Sequence, residues 1–278
     1  MAISTPHGRP NRKKNPKRRV SLFYSASTGQ KVALMGASFL AALPLPARAL
    51  SCSSQPLPFG TAIHCVVELS QDRLELFWKN PAGQPFGSFH SLFHYLEAQG
   101  KKVLFATNGG MYEPDLSPVG WYVEGGKELV KLNQRKGFGN FYLKPNGVLA
   151  WNRWQAWIGP SEEMEAKQAD FLWATQSGPL LVHHGEITPA IPMHSRSRYI
   201  RNGVGLLDRH RVVFVITETP VTLYEFALIF RKNFSCREAL YLDGSISSIY
   251  SLPLGIWKER GPMGPILAVW TPANTQSR

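Results

Sequence analysis

An apolar run that ends in a polar, glycine-rich turn occurs twice in this chain: Leu104-Phe105-Ala106-Thr107-Asn108-Gly109-Gly110 and Leu240-Tyr241-Leu242-Asp243-Gly244-Ser245. Short apolar runs bounded by glycine are typical of buried β-strands. Glycine lets the backbone turn sharply and lets a ligand approach it closely. Each segment is therefore predicted to be a strand that holds a polar side chain rigidly at its end. A plain tight turn fits the same pattern.

The flanking sequence predicts an α+β domain built on mostly antiparallel sheet, with few helices. Hairpins are predicted across Gly125-Gly126 and across Pro145-Asn146-Gly147, the second joining 138–143 to 148–151. Helices are predicted over 88–99, 161–168 and 222–230, from apolar periodicity and capping residues. No internal repeat or low-complexity linker follows residue 60. Residues 50–278 are thus predicted to form one domain.

The formal net charge of +12 is concentrated in the first 49 residues. These residues contain nine Lys or Arg and no acid, which leaves 22 basic and 19 acidic residues in the rest of the chain. The domain itself is nearly neutral and lacks the basic stripe that a nucleic-acid backbone requires. A nucleic-acid-binding function would depend on the basic leader alone, so we expect no nucleic-acid partner.

Residues 1–49 are predicted to be a signal segment. A basic stretch ends near Lys31, an apolar run covers 32–45, and Ala47-Arg48-Ala49 fits a cleavage site with small residues. We therefore expect export to the periplasm or beyond. An uncleaved membrane anchor and a basic disordered arm are the alternatives, and any contact with the membrane is expected only through this segment.

The three cysteines fit an exported protein. A bridge between Cys52 and Cys65 would hold the start of the domain in place. Cys236 is then the odd cysteine, and we expect it to be buried before a strand; the alternative is a catalytic nucleophile. No Cys/His spacing indicates a structural zinc site.

Two charged residues are candidates for chemistry. Asp243 follows an apolar strand and precedes Gly244, so it is either a turn aspartate that caps the backbone or a partly desolvated carboxylate. Such a carboxylate could act as a general acid or base, a nucleophile or a metal ligand. Arg201 comes just before a predicted strand, and its planar guanidinium suits a phosphate or carboxylate, or else a surface ion pair.

Other polar and aromatic residues give weaker signals. Ser177 lacks the GxSxG context of a nucleophile elbow, and the sequence does not establish a triad of Ser177, His194 and Asp243. Several tryptophans and tyrosines are candidates either for stacking on sugar rings or for the core: Tyr112, Trp121, Tyr122, Trp151, Trp154 and Trp157.

Six motifs in the same order resemble the phosphodiester glycosidase family, including its bacterial branch related to exopolysaccharide biosynthesis. They lie between about Ile63 and Trp270: Asn108-Gly109-Gly110-Met111-Tyr112, Ser117-Pro118-Val119-Gly120, Asn140-Phe141-Tyr142, Gln176-Ser177-Gly178-Pro179, Arg201-Asn202-Gly203-Val204-Gly205 and Tyr241-Leu242-Asp243-Gly244-Ser245-Ile246-Ser247-Ser248.

The resemblance implies hydrolysis of a sugar-1-phosphodiester, in envelope or exopolysaccharide metabolism. It implies catalytic roles for Asp243, Asn108 and Arg201. The substrate-binding residues it implies are Gly109, Gly110, Tyr112, Ser177, Gly178, Asn202, Gly244 and Ser245. It implies no definite cofactor; a divalent metal is an open alternative, with Asp115 and Asp243 as its candidate ligands.

The resemblance further predicts that Asn108, Arg201 and Asp243 meet at one cleft, where the arginine, with the N–H groups of Gly109 and Gly110, faces a phosphate. The alternative is a non-catalytic envelope module that binds a glycan or a phosphorylated polymer without cleaving it.

Overall fold

The computed structural model describes residues 50–58, 60–164 and 170–273. Within these ranges the chain forms seventeen strands and two α-helices, α1 (Phe89–Glu97) and α2 (Leu223–Leu228). The strands are β1 (Ser51–Leu57), β2 (Gly60–Glu68), β3 (Arg73–Phe77), β4 (Lys101–Asn108), β5 (Tyr122–Glu124), β6 (Lys127–Val130), β7 (Gly147–Trp151), β8 (Ala156–Pro160), β9 (Trp173–Ser177), β10 (Leu180–His183), β11 (Glu186–Ile187), β12 (Asn202–Leu206), β13 (Arg211–Thr217), β14 (Ala239–Asp243), β15 (Ile249–Ser251), β16 (Ile256–Lys258) and β17 (Ile266–Pro272).

The strands make three antiparallel sheets. Seven strands form the largest sheet, in the order β1-β2-β13-β12-β14-β10-β11. The other two sheets have five strands each, in the orders β16-β15-β4-β17-β3 and β6-β5-β9-β7-β8. The predicted α+β fold on mostly antiparallel sheet is confirmed.

The main hydrophobic cluster draws residues from all three sheets. Phe214 of the seven-stranded sheet contacts Phe105 of β4 with ring centroids 5.3 Å apart, and both side chains are buried. Trp151 of β7 donates its indole N–H to the carbonyl of Leu74 at 3.0 Å. Burying each such side chain contributes roughly 1.5–3 kcal/mol, so this cluster is what holds the sheets together.

Each helix covers the outer face of one sheet. Helix α1 begins after Ser88, whose hydroxyl accepts the Ser91 N–H, and it buries Phe89, Leu92 and Leu96 as its apolar periodicity predicts. Helix α2 begins at a capping box formed by Thr222 and Glu225. It continues into a π-helical turn over Ile229–Asn233, so the helix predicted over 222–230 is also confirmed.

The glycines of β12 let α2 and the turn after it approach the sheet closely. A Cβ atom on Gly203 would lie 3.0 Å from the ring of Phe226, and one on Gly205 would lie 2.7 Å from the ring of Phe230. Both distances are too short for a packed side chain, so only glycine fits these two positions.

The hairpin predictions are right in one case and wrong in the other. Strands β5 and β6 pair across Gly125-Gly126 as expected. The segment 138–143 is not a strand: Asn140–Tyr142 forms a single 3₁₀ turn after Gly139, whose φ of 91° breaks an extended backbone. Strand β7 instead pairs with β8 and β9. The helix predicted over 161–168 is described only to residue 164, where Ser161–Glu163 is a 3₁₀ turn.

The cysteine predictions are confirmed. Cys52 and Cys65 are disulfide-bonded across the directly paired strands β1 and β2. Cys236 is free, and its burial raises the pKa of the thiol to about 12. The predicted signal segment, residues 1–49, lies outside the described residues. In the part of the chain that is described, no helix has the length and apolar character needed to cross a bilayer.

Candidate functional site

An open cleft of about 750 Å³ lies at the sheet edge where β14 ends. Strand β12 begins at the same edge, because Asn202 and Asp243 are direct partners in the antiparallel register. The lining includes some of the residues predicted from the sequence, namely Tyr112, Asp243, Gly244 and Ser245. The end of β14 therefore delivers a carboxyl group and a glycine-rich turn to this cleft.

The carboxyl group of Asp243 is fixed on one side only. Its Oδ1 accepts the backbone N–H groups of Gly244 and Ser245, the latter at 2.8 Å. Among the described residues none donates to Oδ2. Only 8% of the residue is exposed, and this burial raises the pKa of the carboxyl more strongly than the two backbone hydrogen bonds lower it. A carboxylic acid with a raised pKa and one unbonded oxygen is equipped for proton transfer.

Tyr112 lies close enough to Asp243 to sense its charge. Burial raises the pKa of the Tyr112 hydroxyl to about 12, and the Asp243 carboxylate contributes in the same direction. The hydroxyl donates to the carbonyl of Pro262 at 2.6 Å. Tyr112 is therefore neutral over the physiological range and serves as a fixed wall of the cleft.

Asn108 lies beneath the cleft and joins two sheets. Its Nδ2 donates to Oδ1 of Asn202 at 3.2 Å, and Nδ2 of Asn202 donates back to Oδ1 of Asn108 at 3.0 Å. The same oxygen of Asn202 accepts the Asp243 N–H, and Oδ1 of Asn108 accepts the Ser248 N–H. Asn108 and Asn202 are fully buried, and together they hold both ends of the 243–248 loop.

Arg201 is also buried beneath the cleft, with 1% of its surface exposed. Its guanidinium donates to the carbonyl of Val221 at 2.8 Å, to the carbonyl of Ser197 at 2.9 Å and to the hydroxyl of Tyr241 at 2.9 Å. All three acceptors are neutral. No ion pair within the described ranges includes Arg201, so its positive charge is not neutralised by a carboxylate there.

The floor of the cleft is close to this guanidinium. A Cβ atom on Gly244 would lie 3.5 Å from Nη1 of Arg201 and would overlap the Tyr241 hydroxyl. Only glycine at position 244 leaves room for the contact between Arg201 and Tyr241. The positive charge therefore lies directly under the turn that follows Asp243.

The other predicted substrate-binding residues lie behind the lining. The Gly109 N–H donates to the Pro265 carbonyl at 2.7 Å, so this group is already bonded within the protein. Gly110 has a φ of 135°, and a Cβ there would lie 2.6 Å from the Thr175 hydroxyl. The Ser177 hydroxyl donates to the Leu242 carbonyl at 2.9 Å, which commits its proton to the backbone rather than to a histidine. Gly178 is likewise buried.

Asp115 lies on an exposed turn that does not line the cleft. Its Oδ1 accepts the N–H and the hydroxyl of Ser117, and these bonds lower the pKa of the carboxyl. Within the described residues, neither Asp115 nor Asp243 belongs to a group of three or more potential metal ligands. Of the two carboxylates that the sequence suggested as metal ligands, only Asp243 lines the cleft, and their predicted metal ligation stays a prediction.

The cleft is also lined by residues that were not predicted from the sequence to belong to the site. They include a second carboxylate and several aromatic side chains: Glu113, Phe138, Phe141, Tyr142, Tyr199 and Tyr241. Glu113 directly follows the family motif that contains Tyr112, and Tyr142 and Tyr241 lie inside family motifs. Their closeness to these motifs could have indicated that they belong to the site. The sequence offers no comparable signal for Tyr199. Of the aromatics proposed for sugar stacking, Tyr112 lines the cleft, whereas Tyr122 and Trp151 belong to the core.

An aromatic-lined cleft with a carboxylic acid of raised pKa is the kind of site expected in a hydrolase that acts on carbohydrates. The chain belongs to the phosphodiester glycosidase family, whose sequence model matches residues 101–275. It is therefore a hydrolase of the phosphodiester glycosidase type, and the family implies a glycan phosphodiester as the class of substrate.

Three relatives illustrate the similarity. The uncharacterized protein YigE of Escherichia coli K12 is 32% identical over 233 residues, which cover 83% of this chain and 91% of YigE. The catalytic domain of zebrafish N-acetylglucosamine-1-phosphodiester α-N-acetylglucosaminidase, auto-inhibited by its pro-peptide, superposes with a TM-score of 0.53 at 13% identity, covering 79% of this chain and 81% of that one. A hypothetical protein from Synechocystis gives a TM-score of 0.50 at 14% identity, with 80% and 62% covered. The two solved structures share the fold.

Proposed function

We propose that this protein is exported and hydrolyses the bond between an anomeric carbon and a phosphodiester in envelope glycans or exopolysaccharide. The family supports the reaction class, and the cleft at the end of β14 supports its location in the molecule. The observation that carries the proposal is Asp243: a buried carboxyl group with a raised pKa and one unbonded oxygen in an open cleft.

Asp243 is proposed to act as the general acid. In its neutral form it does not repel an anionic phosphodiester, and it donates its proton to the phosphate oxygen as the bond from that oxygen to C1 breaks. A water molecule then adds hydroxide to C1, and its remaining proton passes to a base. Glu113, the second carboxylate of the cleft, is proposed as that base. The products are a free sugar and a phosphomonoester.

Arg201 supports an anionic substrate from below. Its charge is buried and bonded only to neutral acceptors, so it gives the floor of the cleft a positive potential near Gly244. A fixed charge in a region of low dielectric stabilises the leaving phosphate more strongly than the same charge in water would. Arg201 is proposed to act through this potential and through its hydrogen bond to Tyr241, while the sugar ring packs against the aromatic walls formed by Tyr142 and Tyr199.

The reaction is tested with a sugar-1-phosphate esterified to p-nitrophenol, assayed with and without an added phosphatase. Cleavage at C1 releases p-nitrophenyl phosphate, so colour is expected only when the phosphatase is present. Asp243→Asn should lower the rate by about 10²–10⁴-fold, the usual contribution of a general acid. The matched control is Asp115→Asn, because Asp115 is exposed and outside the cleft lining; it should keep the full rate.

Two results would contradict the proposal. Full activity in the Asp243→Asn variant would remove the general acid. Saccharide binding by the unaltered protein without any turnover would instead favour a non-catalytic glycan-binding module.

Export is proposed from residues 1–49 and is supported by the Cys52–Cys65 disulfide, since such bonds persist mainly in oxidising compartments. The mature protein should be recovered from the periplasm or medium, with an N-terminus close to Leu50. Mass spectrometry of the intact protein from fractionated cells measures both. Recovery of the uncleaved chain from the cytoplasm would argue against export.

A further inference from the structure

The geometry points to a transition-metal site formed by His183, His184 and Glu238, which is separate from the cleft. Their potential ligand atoms all lie within 4.8 Å of one another. His183 ends β10 and Glu238 immediately precedes β14, so the group lies at the opposite end of β14 from Asp243. Glu238 and Asp243 are five positions apart along the extended chain, a distance of about 17 Å.

The donor atoms have a spacing that suits a small cation. Nδ1 of His183 lies 2.8 Å from Oε2 of Glu238, and Nδ1 of His184 lies 3.3 Å from Oε1 of the same carboxylate. Zinc binds imidazole nitrogen and carboxylate oxygen at about 2.0–2.2 Å, so neighbouring ligands of a tetrahedral ion are about 3.3 Å apart. The three side chains can therefore surround one ion after small shifts and leave a fourth position open.

The backbone holds these ligands in place. His184 has a φ of 52° and Gly185 a φ of 85°, which fits the two-residue turn between β10 and β11. The His184 N–H donates to Oε1 of Glu238 at 2.9 Å, and the Gly185 N–H donates to the Arg237 carbonyl at 2.9 Å. The turn therefore places the two imidazoles side by side, with ring centroids 3.8 Å apart, over one carboxylate.

A second carboxylate faces the other nitrogen of His183. Oε1 of Glu163 lies 3.9 Å from Nε2 of His183, while Nδ1 of the same ring points to Glu238. Histidines that bind metals commonly direct their second ring nitrogen to a carboxylate, which fixes the tautomer and the ring orientation. Glu163 is positioned to do this when Nδ1 of His183 binds the ion.

Two imidazoles and a carboxylate favour Zn²⁺, Cu²⁺ or Ni²⁺ over Mg²⁺ or Ca²⁺, which prefer sites made of oxygen ligands alone. A bound ion would link the β10–β11 turn to the start of β14. Since β14 carries Asp243 at its far end, the ion would stabilise the strand that supports the cleft without touching the cleft.

The test uses the full, untagged chain, Zn²⁺ alone, isothermal titration calorimetry and thermal unfolding. The unaltered protein should bind Zn²⁺ at this site and unfold at a higher temperature when the ion is present. His184→Asn should weaken this binding at least about tenfold. Asparagine before glycine is the preferred sequence for this type of turn, so this variant should fold.

The control addresses a second pair of histidines. His90 and His94 are exposed and one turn apart on α1, so they are a competing weak site. The double variant His90→Ala, His94→Ala should keep the proposed binding and the shift in unfolding temperature. The proposal is overturned if the unaltered protein does not bind Zn²⁺, if His184→Asn binds it equally well, or if the double variant abolishes the binding.

Discussion

At the scale of single residues, Asp243 is subject to opposing effects. Two backbone N–H groups favour its ionised form, whereas burial favours its neutral form and prevails, so the pKa is raised in the folded protein. Between the ordinary pKa of 3.8 and this raised pKa, the folded state holds a proton that the unfolded chain has lost. Stability contributed by this group is therefore lost as the pH rises from the ordinary value of 3.8 through the raised pKa.

Replacing Asp243 with asparagine should consequently stabilise the protein at neutral pH. The amide keeps an oxygen that accepts the Gly244 and Ser245 N–H groups, but it has no charge to desolvate. The gain in unfolding temperature over the unaltered protein should be present at pH 7 and should shrink as the pH falls towards 3.8. Thermal unfolding across this range measures it.

Asp115→Asn is the control, because the pKa of Asp115 is shifted in the opposite direction from that of Asp243. Its pKa is lowered by the Ser117 bonds, so that variant should show no gain at pH 7. A gain for Asp115→Asn, or none for Asp243→Asn, would contradict this account.

The sequence predicts some residues of the site better than others. Asp243 was identifiable because a strand, an aspartate and a glycine in succession are a local signal. Arg201 was expected to face a phosphate. In the structure its guanidinium is surrounded by Ser197, Val221 and Tyr241, which its local sequence does not reveal. Whether Arg201 contacts the phosphate directly stays a prediction.

At the scale of structural elements, the 243–248 loop depends on strands from two sheets. Asn202 at the start of β12 holds the N–H of Asp243, and Asn108 at the end of β4 holds the N–H of Ser248. The two asparagines also bond to each other. The position of the catalytic candidate is thus set by residues that do not line the cleft.

Asn108→Ala should loosen this loop. It leaves the Ser248 N–H without its buried acceptor, which costs about 1–3 kcal/mol for an unsatisfied group, whereas the Asn202 amide keeps its bonds to the Thr107 hydroxyl and the Asp243 N–H. Urea unfolding should show that loss of stability. The cleavage rate should fall by roughly tenfold, which corresponds to the loss of one hydrogen bond between neutral groups that contributes about 1.4 kcal/mol to positioning Asp243. Asn152→Ala is the control, because Asn152 caps the distant turn at Trp154 and Gln155. It should lower stability without lowering the rate; equal rate losses in both variants would refute a specific role for Asn108.

Elements were predictable where their signals are local. Helix α1 follows from Ser88 and the spacing of Phe89, Leu92 and Leu96 alone. The segment 138–143 looked like a strand because it is rich in aromatic residues, but Gly139 turns the backbone and Phe141 packs into the interior. The order of strands within the sheets depends on contacts between distant segments, which no local pattern encodes.

At the scale of the whole molecule, the fold joins three sheets around one shared core, and the edge strand β1 is attached to it by the Cys52–Cys65 bond. Edge strands have one unpaired side and open more readily than central strands. The closed loop spans 13 residues. A loop of this size restricts the unfolded chain enough to contribute about 3 kcal/mol.

The three cysteines should therefore respond in distinct ways to a thiol reagent. No thiol should react in the native protein, because Cys236 is buried with its pKa raised to about 12 and the other two are bonded. One thiol should react after unfolding and three after unfolding with reduction. Reduction should also lower the free energy of unfolding by about 3 kcal/mol, and the variant Cys52→Ser, Cys65→Ser should match the reduced protein. Three reactive thiols in the unfolded, unreduced protein would show that the bond is absent and that β1 depends on its hydrogen bonds to β2 alone.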